Sequence, residues 1–189
     1  MKKYTLSIMF AIGMFVLGSV TASAQMMKSD NPMVGGAAMF KTKDIVDNAV
    51  NSADHTTLVA AVKAAGLVDT LKGKGPFTVF APVNSAFTAL PAGTVDMLLL
   101  PENKVMLSKV LTYHVVAGNM DSKKIAKAIK KGNGRATFTT VSGDTLTASM
   151  NGSVLVLTDE KGGMSRVTIA NVRQSNGVIH VVDTVLMPN

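Results

Sequence analysis

Two long apolar segments constrain the fold most, because each is joined to a turn of specific chemistry. The first, Thr78–Phe87 (TVFAPVNSAF), reads as a short buried strand that ends at Pro82, since proline supplies no amide hydrogen to a sheet. Asn84 then offers the side-chain oxygen that the free amides of a following helix need. The second, Asn176–Pro188 (NGVIHVVDTVLMP), opens with an Asn-Gly turn and is almost continuously apolar. Such a run is typical of a strand that is buried on both faces.

The N-terminus has the organisation of a secretory signal. Lys2 and Lys3 form a positive region, residues 6–20 are mostly apolar, and an Ala-Ser-Ala cleavage site ends at Ala24. We expect a signal peptide over residues 1–24 and a mature chain that begins at Gln25; an uncleaved anchor is the alternative. Cysteine is absent, so an exported protein would rely on packing rather than on disulfides. The sequence predicts a secreted or periplasmic protein that does not span the membrane after cleavage.

The mature chain reads as a leader followed by one domain. Residues 25–40 hold four methionines beside Asn-Pro and Gly-Gly pairs without a sustained period, which indicates a flexible leader. Helical periodicity dominates after residue 41, and strand patterns separated by Asn-Gly and Gly-Gly turns follow residue 113. Helices first and antiparallel strands later are typical of an α+β domain, which we expect over residues 41–188. Five residues are expected to cap helices, namely Thr42, Asp54, Asn84, Thr94 and Asp121.

One stretch of the chain is strongly basic. Six cationic residues fall within 13 positions that contain no acid: Lys123, Lys124, Lys127, Lys130, Lys131 and Arg135. The whole chain has a formal net charge of +7, so the excess is concentrated here. Within this stretch Ile125 and Ile129 lie four apart, on one face of a helix. The cluster could meet an anionic glycan, a lipid head group or nucleic acid; a merely solvated helix face is the alternative.

The sequence contains no recognised set of catalytic residues. The three histidines are His55, His114 and His180, and no cysteine can serve as a nucleophile. No motif of a zinc protease, a serine hydrolase, a phosphate-binding loop or an EF-hand is present. His180 and Asp183 are three apart, so they would point to opposite faces of a regular strand. We therefore interpret the strand histidines as structural, and expect no enzyme, no metal site and no cofactor.

Three motifs in this order resemble the fasciclin (FAS1) domain. The resemblance covers a single copy of the domain over about residues 41–188. In the first conserved segment of the family, called the first box, the matching residues are Thr78, Val79, Phe80, Ala81, Pro82, Asn84, Ala86 and Phe87. Tyr113 and His114 match between the boxes, and the second box matches at Asn176, Gly177, Val178, Ile179, His180 and Val181, followed by Asp183 and Pro188. The chain departs from the family at Val83, where a polar residue is commoner. It also departs at Asn171 and Val172, which replace an Asp-Ile pair.

The resemblance implies both a fold and a class of function. The fold is an antiparallel β-sandwich or wedge of about seven strands whose N-terminal half is rich in short helices. In some animal relatives the Tyr-His region and the Asp-Ile pair are credited with receptor contact, so Tyr113, His114 and the basic cluster are the candidate partner-binding residues. The residues of the two boxes are primarily structural. Because Asn171 has no carboxylate, metal-assisted capture by an integrin is not expected.

Three functions remain open from the sequence. The leading one is a non-enzymatic, secreted adhesion or surface-interaction module that binds a cell-surface or matrix protein, or an anionic glycan or lipid; nucleic acid is not expected as a partner. The second is a periplasmic protein that binds a small ligand in a groove beside a strand over residues 113–116. The third is an unrecognised enzyme with His114 as its base. The basic helix over residues 121–131 discriminates the first two, because only the adhesion module needs it.

Overall fold

The computed structural model describes residues 31–189, in which short helices precede most of the strands. The helices are α1 (Ile45–Ala49), α2 (Thr56–Ala65), α3 (Val68–Lys72), α4 (Asn84–Thr88), α5 (Thr94–Leu99), α6 (Lys104–Tyr113) and α7 (Ser122–Lys131). The strands are β1 (Met33–Val34), β2 (Ala37–Ala38), β3 (Phe77–Pro82), β4 (Val115–Ala117), β5 (Arg135–Thr139), β6 (Thr145–Asn151), β7 (Val154–Thr158), β8 (Met164–Gln174) and β9 (Gly177–Val182). The expected signal peptide and the first residues of the expected leader lie outside the described residues.

Seven strands form one barrel-like sheet in the order β4-β3-β9-β8-β7-β6-β5. An antiparallel bridge between Val116 and Thr140 connects its two ends. The expected α+β fold, with about seven strands and a helical N-terminal half, is confirmed. One pairing departs from the antiparallel expectation, because β3 and β9 run parallel, with Phe77 opposite Gly177. Helices α4 to α7 and strands β4 to β8 lie between these two strands, and a connection of that length permits a parallel pairing, which a short turn could not.

The two faces of the central pair β3 and β9 bury two separate hydrophobic clusters. Val79 and Ile179 belong to the cluster beneath α1, α2 and α6. Phe80 and Val182 belong to the cluster beneath α7 and strands β6 and β7. Alternate residues of a strand point to opposite faces, so the neighbouring residues Val79 and Phe80 enter different clusters. Strand β9 is buried at all six positions, as its continuous apolar sequence indicates.

The folded unit begins earlier than the sequence suggests. Strands β1 and β2 pair as a short antiparallel hairpin, and Val34 and Met39 are core residues that are 4% and 2% exposed. The expectation of a flexible leader over residues 25–40 is therefore wrong for residues 31–40, which belong to the compact unit Asn31–Asn189. The composition of residues 31–40 resembles that of a linker because only two of their side chains, Val34 and Met39, enter the core.

The structure does not place Thr42, Asp54 or Thr94 at the cap position that the sequence predicts for each. Asp44, rather than Thr42, caps α1 with its side chain. Asp54 lies inside a short 3-10 turn that precedes α2, and Thr94 is the first helical residue of α5 rather than its cap. Two short polar residues that lie one or two positions apart are equally good cap candidates in a sequence. The path of the backbone decides which of the two side chains faces the free amides of the helix.

Candidate functional site

The basic cluster lies on a firmly anchored helix, α7. Asp121 caps its start as predicted, because its carboxylate accepts a hydrogen bond from the backbone N–H of Lys124 at 2.9 Å. Ile125 and Ile129 are buried, 0% and 4% exposed, in the cluster that also holds residues of β6 and β7. The helix is therefore fixed at its first turn and along its apolar side.

Asn171 provides a second anchor for α7, which the sequence did not reveal. Its side-chain oxygen accepts from the backbone N–H of Ser122 at 2.7 Å, and its amide nitrogen donates to the Ser122 hydroxyl at 2.7 Å. Asn171 has a positive φ of 63°, a conformation that asparagine tolerates better than most residues. From the sequence this position was notable only for its missing carboxylate. Its partner lies 49 residues away, so no local pattern could identify the contact.

The cationic side chains of α7 point away from the core. With about 100° between successive helical residues, Lys127 lies opposite the buried side that Ile125 and Ile129 define. The remaining lysines flank it, and the complete exposed set is Lys123, Lys124, Lys127, Lys130, Lys131 and, at the start of β5, Arg135. The five lysines therefore share the exposed side of α7, and together with the exposed Arg135, four residues after the helix, we call them the basic face.

The charges of the basic face are not neutralised by neighbouring acids within the part of the chain that the structure describes. Ion pairs there join Lys72, Lys109 and Arg173 to aspartates, and no residue of the basic face takes part in one. The Lys124 ammonium donates instead to the Asn119 carbonyl at 2.7 Å. Asp121 is the acidic residue that lies nearest to the basic face in the sequence. The amide of Lys124 lowers its pKa, and Arg173 lies 3.4 Å from its carboxylate.

Tyr113 does not form part of a surface. It is the last residue of α6 rather than the first of a strand, and its side chain is 0% exposed. Its hydroxyl donates to the Thr145 carbonyl at 2.7 Å, and burial raises its pKa to about 12. The expectation that Tyr113 contacts a partner is corrected: an aromatic ring inside the core, with its hydroxyl already paired, has no accessible face.

His114 is enclosed in the same way. Its Nδ1 donates to the Val110 carbonyl at 2.8 Å, while its Nε2 accepts from the backbone N–H of Leu186 at 3.1 Å. Burial lowers its pKa to about 4, so the ring is neutral at physiological pH. His114 is therefore not a surface contact for a partner. Both ring nitrogens are occupied, which also removes the free nitrogen that a catalytic base needs.

His180 is likewise surrounded by structural contacts. Its ring stacks on Phe80 with centroids 5.6 Å apart, and its Nε2 donates to the Met120 carbonyl at 2.9 Å. The backbone N–H of Asn171 points at Nδ1 at 3.4 Å, and burial lowers the pKa of the ring. Asp183 lies beyond the end of β9 and accepts from the backbone N–H of Arg166 at 2.8 Å. His180 and Asp183 are therefore not brought together.

In the first box, Thr78 and Asn84 connect distant elements. The Thr78 hydroxyl donates to the Gly118 carbonyl at 2.6 Å and accepts from the N–H of Met120 at 2.9 Å. Asn84 does not cap its own helix, because Val83 occupies the cap position of α4. Its oxygen accepts from the N–H of Thr57 at 3.0 Å, in the first turn of α2. Pro82 ends β3 as predicted, and Phe87 is buried.

In the second box, Asn176 and Gly177 join the sheet to the helices. The Asn176 oxygen accepts from the N–H of Ile45 at 3.1 Å, and its amide donates to the Leu71 carbonyl at 2.7 Å. Gly177 stands where an added Cβ would collide with the Phe77 carbonyl oxygen. The box therefore requires a glycine for the close approach of β9 to β3.

An apolar cavity of about 70 Å³ lies between the first three helices and the sheet. It is lined by α1, α2 and α3 on one side and by β3, β4 and β9 on the other. Val115 and the end of α6 form one wall, so the cavity borders the region in which the sequence suggested a groove. Sequence reasoning did not identify its helical wall, because apolar positions that face a cavity and those that fill a core have the same period.

The fold and the two buried boxes define a FAS1-type α+β domain, and comparison with known proteins leads to the same family. A family model described as the fasciclin domain matches residues 53–188. The chain belongs to the fasciclin family. It is similar to Protein sll1483 of Synechocystis, with 45% identity over 178 residues that cover 92% of this chain and 91% of the relative.

Two further similarities concern a named surface protein and a solved structure. The cell surface glycolipoprotein MPB83 of Mycobacterium bovis is 33% identical over 166 residues, which cover 85% of this chain and 68% of that protein. The FAS1 domain pair of the insect cell adhesion molecule fasciclin I superposes with a TM-score of 0.69 at 15% identity. That match covers 77% of this chain and 51% of the pair, and it supports the fold alone.

The helices and the histidine and acidic side chains of residues 31–189 bear on membranes and metals. None of the helices there is long and apolar enough to cross a membrane. In the same residues, histidines, aspartates and glutamates do not gather in threes as a metal-binding group would require. The basic face offers positive charge to another molecule, and the apolar cavity offers contacts to hydrocarbon.

Proposed function

We propose that this chain is a secreted, non-enzymatic surface-interaction module that binds an acidic glycan through the basic face. The single observation that carries the proposal is the set of six exposed cationic side chains on and beside α7, none of them paired with an acid in the described residues. Unpaired charges of one sign on a rigid element attract a polyanion and raise the rate of encounter.

The rigidity of α7 favours this function over a merely solvated helix. The cap at Asp121, the buried pair Ile125 and Ile129 and the bonds from Asn171 hold the helix in place before a partner arrives. A ligand then orders only the lysine side chains, so association costs less conformational entropy. From Lys123 to Lys131 the helix rises by about 12 Å, enough to contact several charged groups of an extended polymer.

A glycan fits the basic face better than a lipid bilayer does. A helix that binds a membrane buries its own apolar side in the lipid. In α7 that side is already occupied, because Ile125 and Ile129 pack in the core. The exposed residues of the helix are lysines and Ala126, which offer charge without an apolar group to insert.

The relatives support a location at the cell surface. MPB83 of Mycobacterium bovis, which is 33% identical to this chain, is named as a cell surface glycolipoprotein. The expected signal over residues 1–24 is in accord with export. Absence of a recognised catalytic motif in the sequence agrees with a binding role.

The test compares binding of the chain from Gln25 to heparin-coated beads and to vesicles of anionic phospholipid, each at low and high salt. The core clusters lie entirely within residues 31–189, so this chain retains the whole fold. We expect binding to heparin that weakens with salt, since screening reduces contacts between exposed charges. Stronger binding to the vesicles than to heparin would contradict the choice of a glycan.

A matched pair of variants separates the basic face from net charge. Lys127→Glu with Lys130→Glu reverses two charges on the basic face, whereas Lys41→Glu with Lys161→Glu makes the same change at exposed sites elsewhere. We expect the first variant to lose heparin binding and the second to retain most of it. Equal losses would show that net charge alone is responsible, and the proposal would then be wrong.

A further inference from the structure

We propose that the cavity of about 70 Å³ binds the hydrocarbon chain of a fatty acid, with the carboxylate held at the cavity mouth by Lys63. This site is separate from the basic face, and its ligand belongs to a different chemical class. Three properties of the cavity lead to the proposal: its carbon-lined wall, its size and the charge at its mouth.

The wall of the cavity is apolar, and apolar side chains continue from the wall towards the mouth. Val79 of β3 and Ile179 of β9 form part of the wall and are buried. Val68, Leu71 and Phe77 also line the cavity but are only partly buried, so hydrophobic side chains continue from the interior towards the surface. A hydrocarbon chain that lay along these residues would remove their carbon atoms from water, and that burial would favour binding.

Two of the polar residues that line the cavity, Thr112 and His114, have their hydrogen-bonding groups occupied elsewhere. The Thr112 hydroxyl donates to the Ser108 carbonyl at 2.7 Å, within its own helix. His114 uses both ring nitrogens on backbone partners and is neutral, with a pKa lowered to about 4 by burial. A buried water needs two to four polar partners, which this wall does not offer. Apolar cavities of this kind bind hydrocarbons instead.

The size of the cavity selects a narrow ligand. A cavity that accepts benzene has a volume of about 150 Å³. The present cavity, at about 70 Å³, holds less than half of that volume, so it cannot enclose an aromatic ring. The end of a linear alkyl chain is narrower and can enter, while the rest of the chain lies along Val68, Leu71 and Phe77 at the mouth. The geometry therefore favours an acyl chain over a ring.

The charge at the mouth selects the head group. Lys63 of α2 lines the cavity and is otherwise exposed, and no ion pair of the described residues includes it. Its alkyl stem can cover the hydrocarbon while the ammonium stays in water, as lysine side chains commonly do. A carboxylate at the end of the ligand would meet this ammonium, which gives a fatty acid an advantage over an alkane or an alcohol.

The test titrates the chain from Gln25 with octanoate, octanol and benzoate by isothermal calorimetry. We expect octanoate to bind with one site per chain and to raise the melting temperature by mass action. Benzoate should not bind over the same range. Lys63→Met keeps the apolar stem and removes the charge; we expect it to weaken octanoate up to about five-fold, as for an exposed ion pair, and to leave octanol unchanged.

Plugging variants test the location of the site. Val68→Phe and Val59→Phe each add volume at partly buried positions of the cavity lining, and we expect each to weaken octanoate at least ten-fold. Val105→Phe is the matched control, because Val105 lies on α6, is 83% exposed and does not line the cavity. Octanoate binding that survives both plugging variants unchanged would overturn the proposal.

A measurement on the protein without substitutions tests the location of the octanoate site even if both plugging variants misfold. Nuclear Overhauser contacts should connect the terminal methyl of octanoate to the methyl groups of Val62 and Val79, which line the cavity. Absence of saturable binding, or contacts confined to other surfaces, would overturn the proposal. The reversal of Lys127 and Lys130 should not affect octanoate, so failure here is distinguishable from failure of glycan binding.

Discussion

The Nε2 of His114 accepts a hydrogen bond from the backbone N–H of Leu186 at 3.1 Å, across 72 residues of chain. The other ring nitrogen donates to the Val110 carbonyl at 2.8 Å. The middle motif is thereby tied to the C-terminal segment that follows the second box. A neutral imidazole satisfies both contacts, whereas a protonated ring would turn a second donor towards the Leu186 amide.

The protonation of His114 should make the fold sensitive to acid. Burial lowers its pKa from 6.5 to about 4 in the folded state, so between these values the unfolded chain binds more protons. Stability is then complete above pH 6.5 and falls as the pH decreases towards 4. The full loss from this group amounts to about 3 kcal/mol. His55 and His180 act in the same direction, because burial also lowers their pKa values.

Urea denaturation at a series of pH values measures this effect. The free energy of unfolding should fall between pH 6.5 and 4, and the slope should be smaller in His114→Gln, which cannot titrate. The variant is expected to be less stable at neutral pH, because it disturbs two buried hydrogen bonds. An unchanged slope in this variant would show that other groups, such as the carboxylates, account for the acid sensitivity.

Asn84 should stabilise the protein through α2 rather than through its own helix. Its oxygen bonds the N–H of Thr57 and its amide bonds the Ala53 carbonyl at 2.8 Å. We expect Asn84→Ala to lower the free energy of unfolding by about 1–2 kcal/mol, the cost of a lost cap. Ser85→Ala is the matched control at an exposed neighbouring position, and should change stability by less than about 0.5 kcal/mol. Similar effects of the two substitutions in thermal or urea unfolding would refute the role of Asn84.

The sequence was informative where structure depends on neighbouring residues. Pro82 marked the end of β3, and the continuous apolar sequence of the second box indicated a strand that is buried on both faces. The Asp121 cap and the shared face of Ile125 and Ile129 could be read from spacing alone, because a helix brings such positions together. The basic face followed from the same helical geometry.

Contacts between distant residues could not be predicted in this way. A structural role for His114 was expected, but the hydrogen-bond partners of Tyr113 and His114 could not be identified, because Thr145 and Leu186 are 32 and 72 residues away. The choice of α2 rather than α4 as the helix that Asn84 serves depends on how the two helices pack. Likewise, the cavity exists only because three helices fail to fill the space above the sheet, which no periodicity describes.

Gly177 and Gly152 should respond differently to the same substitution. In Gly177→Ala the new methyl group would collide with the Phe77 carbonyl oxygen, a backbone atom of the paired strand. We expect a loss of about 4 kcal/mol or more, because β3 and β9 would have to separate. Gly152 lies in an open turn with a φ of 60°, so Gly152→Ala should cost only about 1 kcal/mol. Comparable losses for both variants in urea unfolding would contradict the close approach of the two central strands.

Tyr113 should titrate at a higher pH than a tyrosine in water. The sequence has two tyrosines and no tryptophan, and Tyr4 precedes the expected cleavage site, so the chain from Gln25 reports Tyr113 alone by ultraviolet absorbance of tyrosinate. Burial raises its pKa to about 12, whereas the unfolded chain should titrate near 10. The unfolded state thus loses its proton first, and stability should fall as the pH rises from 10 towards 12. Titration of the folded protein near 10 would mean that the Tyr113 ring is accessible, and would restore it as a candidate contact for a partner.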